Sequence, residues 1–107
     1  MPVTKAIHIS ASIDIDDVAQ PGAFQFQDMS YRPIDDPSLI ADGEAVRIAF
    51  FDPAGRRGDL VVTKNVDGPC LKWDGGVYLP TITPVICNTH PAGDWRGFLT
   101  KGQFVPC

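Results

Sequence analysis

Hydrophobic and polar residues alternate over short stretches, and no sustained helical repeat appears, so the chain reads as a series of strands. From Lys5 to Ile15, Ile7, Ile9, Ala11, Ile13 and Ile15 fall on one side. His8, Ser10, Ser12 and Asp14 fall on the other, the period of a half-buried strand with His8 facing solvent. Asp16-Asp17 and then Pro21-Gly22 interrupt it, and Ala23 to Gln27 alternates again with Phe24 and Phe26 on one side. Residues 28–44 are broken by Pro33, Asp35-Asp36-Pro37 and Asp42-Gly43. Within them Ser38 to Ala41 suits a single helical turn, capped by Asp36 and stopped at Gly43. Ala45 to Phe51 is apolar enough for a central strand, closed by Asp52-Pro53-Ala54-Gly55, and Leu60 to Thr63 follows as a short one.

Leu71-Lys72-Trp73, Asp74-Gly75-Gly76 and Val77-Tyr78-Leu79 predict a tight hairpin over 71–79, since Asp-Gly readily takes positive φ. Thr81 to Cys87 is extended but carries Pro84, which cannot donate to a ladder, so it is expected at an edge or at a bend. Phe98 to Val105 forms a last hairpin around Lys101-Gly102. Composition agrees: Val, Ile and Thr number 24, against 5 Leu and a single Glu. There is no internal repeat and no linker. The expected fold is mostly β, a single small domain over 1–107 built from short antiparallel strands and hairpins, with at most one short helix.

Charge sharpens the picture. The formal net charge is −4, but residues 1–50 hold eight acids against Lys5, Arg32 and Arg47, whereas residues 51–107 are close to balanced. An acidic half repels a phosphate backbone, so nucleic acid is not an expected partner. No apolar run approaches the ~20 residues that cross a bilayer. The N-terminal segment alternates where a secretion signal would be continuously apolar. Three cysteines leave at least one thiol unpaired, which suits a reducing compartment. A soluble cytoplasmic protein, away from membranes, is the expectation.

Four stretches of the second half occur in a recognisable order. They are Arg47-Ile48-Ala49-Phe50-Phe51-Asp52-Pro53-Ala54-Gly55, Trp73-Asp74-Gly75, Pro80-Thr81-Ile82-Thr83-Pro84-Val85-Ile86, and Trp95-Arg96-Gly97-Phe98-Leu99-Thr100-Lys101-Gly102. The set resembles an uncharacterised family of small domains carried by bacteria, phages and prophages. The family pattern runs F-x-C-P-C-G, W-x-W-x-G, P-T-L-x-P-S-I and W-H-G-x-L-x-x-G. The resemblance implies a metal-free relative of a zinc-ribbon-like scaffold. Asp52 and Ala54 stand where the pattern has cysteines, and Arg96 where it has histidine. Alanine has no donor atom and arginine stays protonated, so a zinc site at those positions is dismantled.

Cys70, Cys87, His90 and Cys107 offer the donor types of a four-coordinate zinc site, and Cys87-Asn88-Thr89-His90 has knuckle-like spacing. No C-x-x-C pair accompanies it, so no cofactor is the leading expectation and zinc the alternative. His90 with Asp94 is a conceivable acid–base pair, but without a nucleophile motif. Trp95 and Arg96, residue types enriched at interface hot spots, follow a loop-like Pro91-Ala92-Gly93-Asp94. Arg96 either pairs locally with Asp52 or Asp94 or is offered outward. Asp14, Asp16 and Asp17 form the densest acidic cluster. The leading expectation is a non-enzymatic accessory protein, phage- or prophage-encoded, that binds a protein partner through Trp95, Arg96, Asp14, Asp16 and Asp17. It would act as a host-factor modulator in the bacterial cytoplasm or as a virion component. A structural zinc domain and a small enzyme using His90 and Asp94 are the alternatives.

Overall fold

The computed structural model describes residues 3–107. Its strands are β1 (Thr4–Lys5), β2 (Ile7–His8), β3 (Ala23–Gln27), β4 (Ala45–Phe51), β5 (Arg57–Lys64), β6 (Leu71–Trp73), β7 (Ile82–Asn88), β8 (Trp95–Thr100) and β9 (Gln103–Pro106). One four-residue helix, α1 (Ile15–Val18), and a 3₁₀ turn at Pro37–Leu39 complete the elements. The domain is mostly β, as its β-branched composition requires.

All strands join one sheet in the order β1-β9-β8-β7-β6-β5-β4-β3-β2. Its two edge strands are consecutive in the chain, with only Ala6 between them. β1 pairs with β9 and β2 with β3, and the Ala6 and Ile7 N–H groups donate to Gly102 and Gly22 carbonyls. The segment 4–8 therefore brings the edges together and wraps the sheet into a small barrel, leaving little open edge for stray pairing. Its interior is filled by side chains: Phe26 packs 4.7 Å from Trp73, and Phe50 lies against Phe104 at 6.0 Å between ring centroids. Trp73 is fully buried and satisfies its indole N–H on the Gly76 carbonyl at 2.8 Å.

A second, smaller core lies outside the barrel. Ile9, Ile15, Ala23, Ala49 and Phe51 bury one another, with Ile7 and Val18 alongside. Residues 9–18 thus cover the outer face of β3, all five residues of which are buried.

The N-terminal segment corrects the expectation of one strand over 5–15. Pairing ends at His8, a turn follows, and Asp14 caps α1 by accepting from Asp16 N at 3.0 Å. The expected faces are also exchanged. Ile7 and Ile9 pack in the outer cluster, while His8 is half-buried beside Phe24 and Tyr78 at 5.6 and 5.1 Å. Likewise no hairpin spans 71–79: β6 pairs parallel with β5 and antiparallel with β7. The Asp74 carboxylate accepts from both Gly76 N and Thr81 N, which holds a wide loop rather than a two-residue turn. β7 is not an edge; it lies between β6 and β8, and a bulge between Ile82 and Ile86 accommodates Pro84 without a ladder donor. The helical turn near 38–41 is shorter than expected, capped by Asp36 but ended at Ile40 instead of Gly43. Strands β3 and β4 lie where the pattern puts them, and the last hairpin turns at Lys101-Gly102 as expected, but β8 begins at Trp95 and not at Phe98.

Candidate functional site

Residues 9–16 do not seal the outer face of the barrel completely. Between them and Tyr31–Pro33 a groove of about 490 Å³ remains, floored by Gln25 and Gln27 and reached by Arg57. Its wall is fixed through Gln25, only 1% exposed, whose amide Nε2 donates to the Ser10 and Ile13 carbonyls at 2.9 and 2.7 Å. Those two bonds orient the amide, leaving its oxygen to accept from Gln27 Nε2 at 3.1 Å. Gln27 is then oriented in turn, and its Oε1 has no partner although the residue is 6% exposed. Directly across the sheet, Arg47 pairs in register with Gln27, and its buried Nε is also without a partner. The Arg47 guanidinium lies 4.2 Å from the ring centroid of Tyr31, which is itself 59% exposed. An acceptor and a donor, both buried and unsatisfied, thus stand side by side below an exposed aromatic ring.

Two of the expected acids belong to this groove. Asp14 lines it while capping α1, and Asp16 lines it while accepting from Arg57 Nε at 2.8 Å. Arg57 also contacts Asp59 at 3.1 Å. Burial disfavours the Arg57 charge, but its hydrogen bonds and the attraction of Asp16 and Asp59 outweigh that, so its pKa is raised. Arg57 is therefore a strand residue committed to two carboxylates. Asp17 is exposed on α1 and does not line the groove. Gln25, Gln27, Tyr31 and Arg47 carry no motif. The signal that reveals them is indirect: Asp14 followed by two acids marks a helix start, and a helix there must cover the polar side of β3.

Trp95 and Arg96 are separated by the pleat of β8. The half-buried Trp95 packs edge-on to Phe104 at 5.8 Å and folds over Gly97, where a Cβ would collide with the indole and with the Val105 carbonyl. Arg96 faces outward with Phe98, and among the described residues its guanidinium makes no ion pair. The expected Arg96–Asp52 pair is absent because Asp52 is fully buried, with its carboxylate bound to Ala54 N, Arg56 N and Asn88 Nδ2.

The cysteines and His90 are dispersed. All three thiols are free. Cys87 on β7 and Cys107 just beyond β9 flank Arg96, about 10 Å apart across two strand spacings, beyond the reach of a disulfide. Among the described residues no three His, Cys, Asp or Glu side chains are placed to hold one metal ion. Asp94 binds the backbone N–H of His90 at 3.2 Å, while His90 Nδ1 accepts from Ala92 N at 3.0 Å. Both groups thereby tie the loop between β7 and β8, and the carboxylate is not hydrogen-bonded to the imidazole. No family model, curated protein or solved structure matches the chain.

Proposed function

We propose that the chain is a non-enzymatic binding protein that engages a partner protein through the groove beside α1. In this reading it is an accessory factor encoded by a phage or prophage, modulating a host factor in the bacterial cytoplasm or riding in the virion. The observation that carries the proposal is Gln27 Oε1, a buried acceptor without a partner on the groove floor, with the unpaired Nε of its register partner Arg47 beside the groove under Tyr31. Leaving such groups unpaired costs about 1–3 kcal/mol each, a cost that a bound partner removes. Asp14 and Asp16 on the same groove contribute the charge expected of the acidic cluster.

Quantitative capture from a bacterial host lysate tests this with three tagged proteins: wild type, Ser12→Trp and Arg96→Ala. Ser12 is exposed on the groove rim, so an indole there blocks entry without disturbing the core. A protein retained by wild type and Arg96→Ala but lost by Ser12→Trp supports the groove. Retention lost only by Arg96→Ala moves the interface to the outer face of β7–β9 and overturns it.

A further inference from the structure

We infer that the groove takes an extended, basic segment of the partner's chain, with one residue of that segment seated by its main-chain N–H on Gln27 Oε1 and its C=O on Arg47 Nε. This rests on the proposed binding role and identifies what is bound. In an extended strand the N–H and C=O of one residue point to the same side, as they do when two opposed residues exchange both hydrogen bonds. Gln27 and Arg47 are register partners on β3 and β4 and present one acceptor and one donor. The amide relay from the Ser10 and Ile13 carbonyls through Gln25 fixes which atom of Gln27 is the acceptor. An anionic ligand would meet Asp14 and Asp16, and the Arg57 charge is already bound to Asp16 and Asp59. Among the residues that line the groove, Asp14 and Asp16 outweigh Arg57 by one negative charge. Among the described residues Asp14 has no cationic partner, so a Lys or Arg side chain flanking the seated residue completes it. Tyr31 covers the Arg47 guanidinium and is more than half exposed in a turn, so its ring is the element that swings aside. The groove volume, 490 Å³, holds a few residues, not a folded surface.

The test uses the full chain labelled with ¹⁵N and two capped pentapeptides, Ac-Ala-Lys-Ala-Lys-Ala-NH₂ and Ac-Ala-Glu-Ala-Glu-Ala-NH₂. The lysine peptide is expected to shift the Gln25 and Gln27 side-chain amides and the Arg47 Nε–H signal saturably, with affinity near ~1 mM. The glutamate peptide is expected to shift none of them. Gln27→Leu, checked for an unchanged fold by its amide spectrum, should weaken lysine-peptide binding about tenfold, the worth of one buried hydrogen bond. Equal shifts with both peptides, or shifts confined to β7–β9, would overturn the inference. So would no response at about 10 mM, while lysate capture still depended on Ser12; in that outcome the binding role stands and the ligand assignment falls. Capture that ignores Ser12→Trp removes the binding role itself.

Discussion

Asp52 offers the sharpest test of what holds this barrel together. Its carboxylate is fully buried, with Oδ1 accepting from Ala54 N and Arg56 N at 2.9 and 3.0 Å and Oδ2 from Asn88 Nδ2 at 2.9 Å. The first two bonds shape the β4–β5 turn, and the third ties that turn to the end of β7. Asp52→Ala removes all three hydrogen bonds at once. Ala54 is exposed and its N–H can turn to water, but Arg56 is half-buried and Asn88 is 6% exposed. Arg56 N is then stranded and Asn88 Nδ2 keeps only its 3.4 Å contact to the Arg56 carbonyl, and losing the carboxylate from both donors costs about 3–5 kcal/mol together. For a domain of this size that is roughly 15–30 °C of melting temperature. Asp52→Asn keeps an acceptor for the turn, and rotating the Asn88 amide lets its oxygen accept from the new Nδ2. That variant should lose only about 1–2 kcal/mol. Calorimetric melting of the three proteins gives the order directly. If Asp52→Ala melts within about 5 °C of wild type, or if Asn is as damaging as Ala, the carboxylate is not the tie described here.

His8 gives a pH dependence. Desolvation lowers its pKa from the ordinary 6.5, so its contribution is present above about pH 6.5 and lost as pH falls toward the depressed value; the urea midpoint should drop over that window in wild type and less in His8→Gln. Arg96→Ala should leave the melting temperature within a few degrees, because its exposed guanidinium has no ion pair among the described residues; a loss above about 2 kcal/mol in denaturant titration would show a hidden structural role. Gly97→Ala should destabilise strongly, as its Cβ would meet the Trp95 indole and the Val105 carbonyl, and a melt unchanged from wild type would remove the account of Trp95 as a packing residue. As purified, the protein should carry less than one zinc per chain and melt at the same temperature after chelation; unfolding on metal removal would refute this.

The barrel was largely legible where a strand has one wet face and ends at a turn residue. The β8–β9 hairpin satisfies both conditions and its alternation located it, whereas β4, buried on both faces from Ile48 to Phe51, was located by its apolar run. The N-terminal segment satisfies neither. Its period-2 pattern runs on through strand, turn and helix, so Ile13 is 45% exposed and Ile15 is 1% exposed despite equivalent positions in the pattern. Alternation also cannot choose a face when both are buried, which is why Ile7 and His8 exchange sides. At 71–79 the Asp-Gly signal located a bend but not the distance to the next strand. That distance depends on the reach of the Asp74 side chain to Thr81. The groove was legible only as an acidic cluster, because Gln25 and Gln27 read as the solvent face of β3 until something covers them.

The cover and the floor are one structure. A segment leaving a sheet loses its ladder partners, and residues 10–13 recover two of theirs from the amide of Gln25. That amide can serve them only as a donor, which forces its oxygen toward Gln27 and leaves the next oxygen in the chain unpaired. A relay of amides of this kind must end in water or in a partner. Here it ends at 6% exposure beside an equally unpaired arginine nitrogen. Gln25→Leu would therefore do two things together: release the groove wall, by freeing the Ser10 and Ile13 carbonyls, and let the Gln27 amide turn over. Wall and acceptor fail as one, because the same side chain sets both.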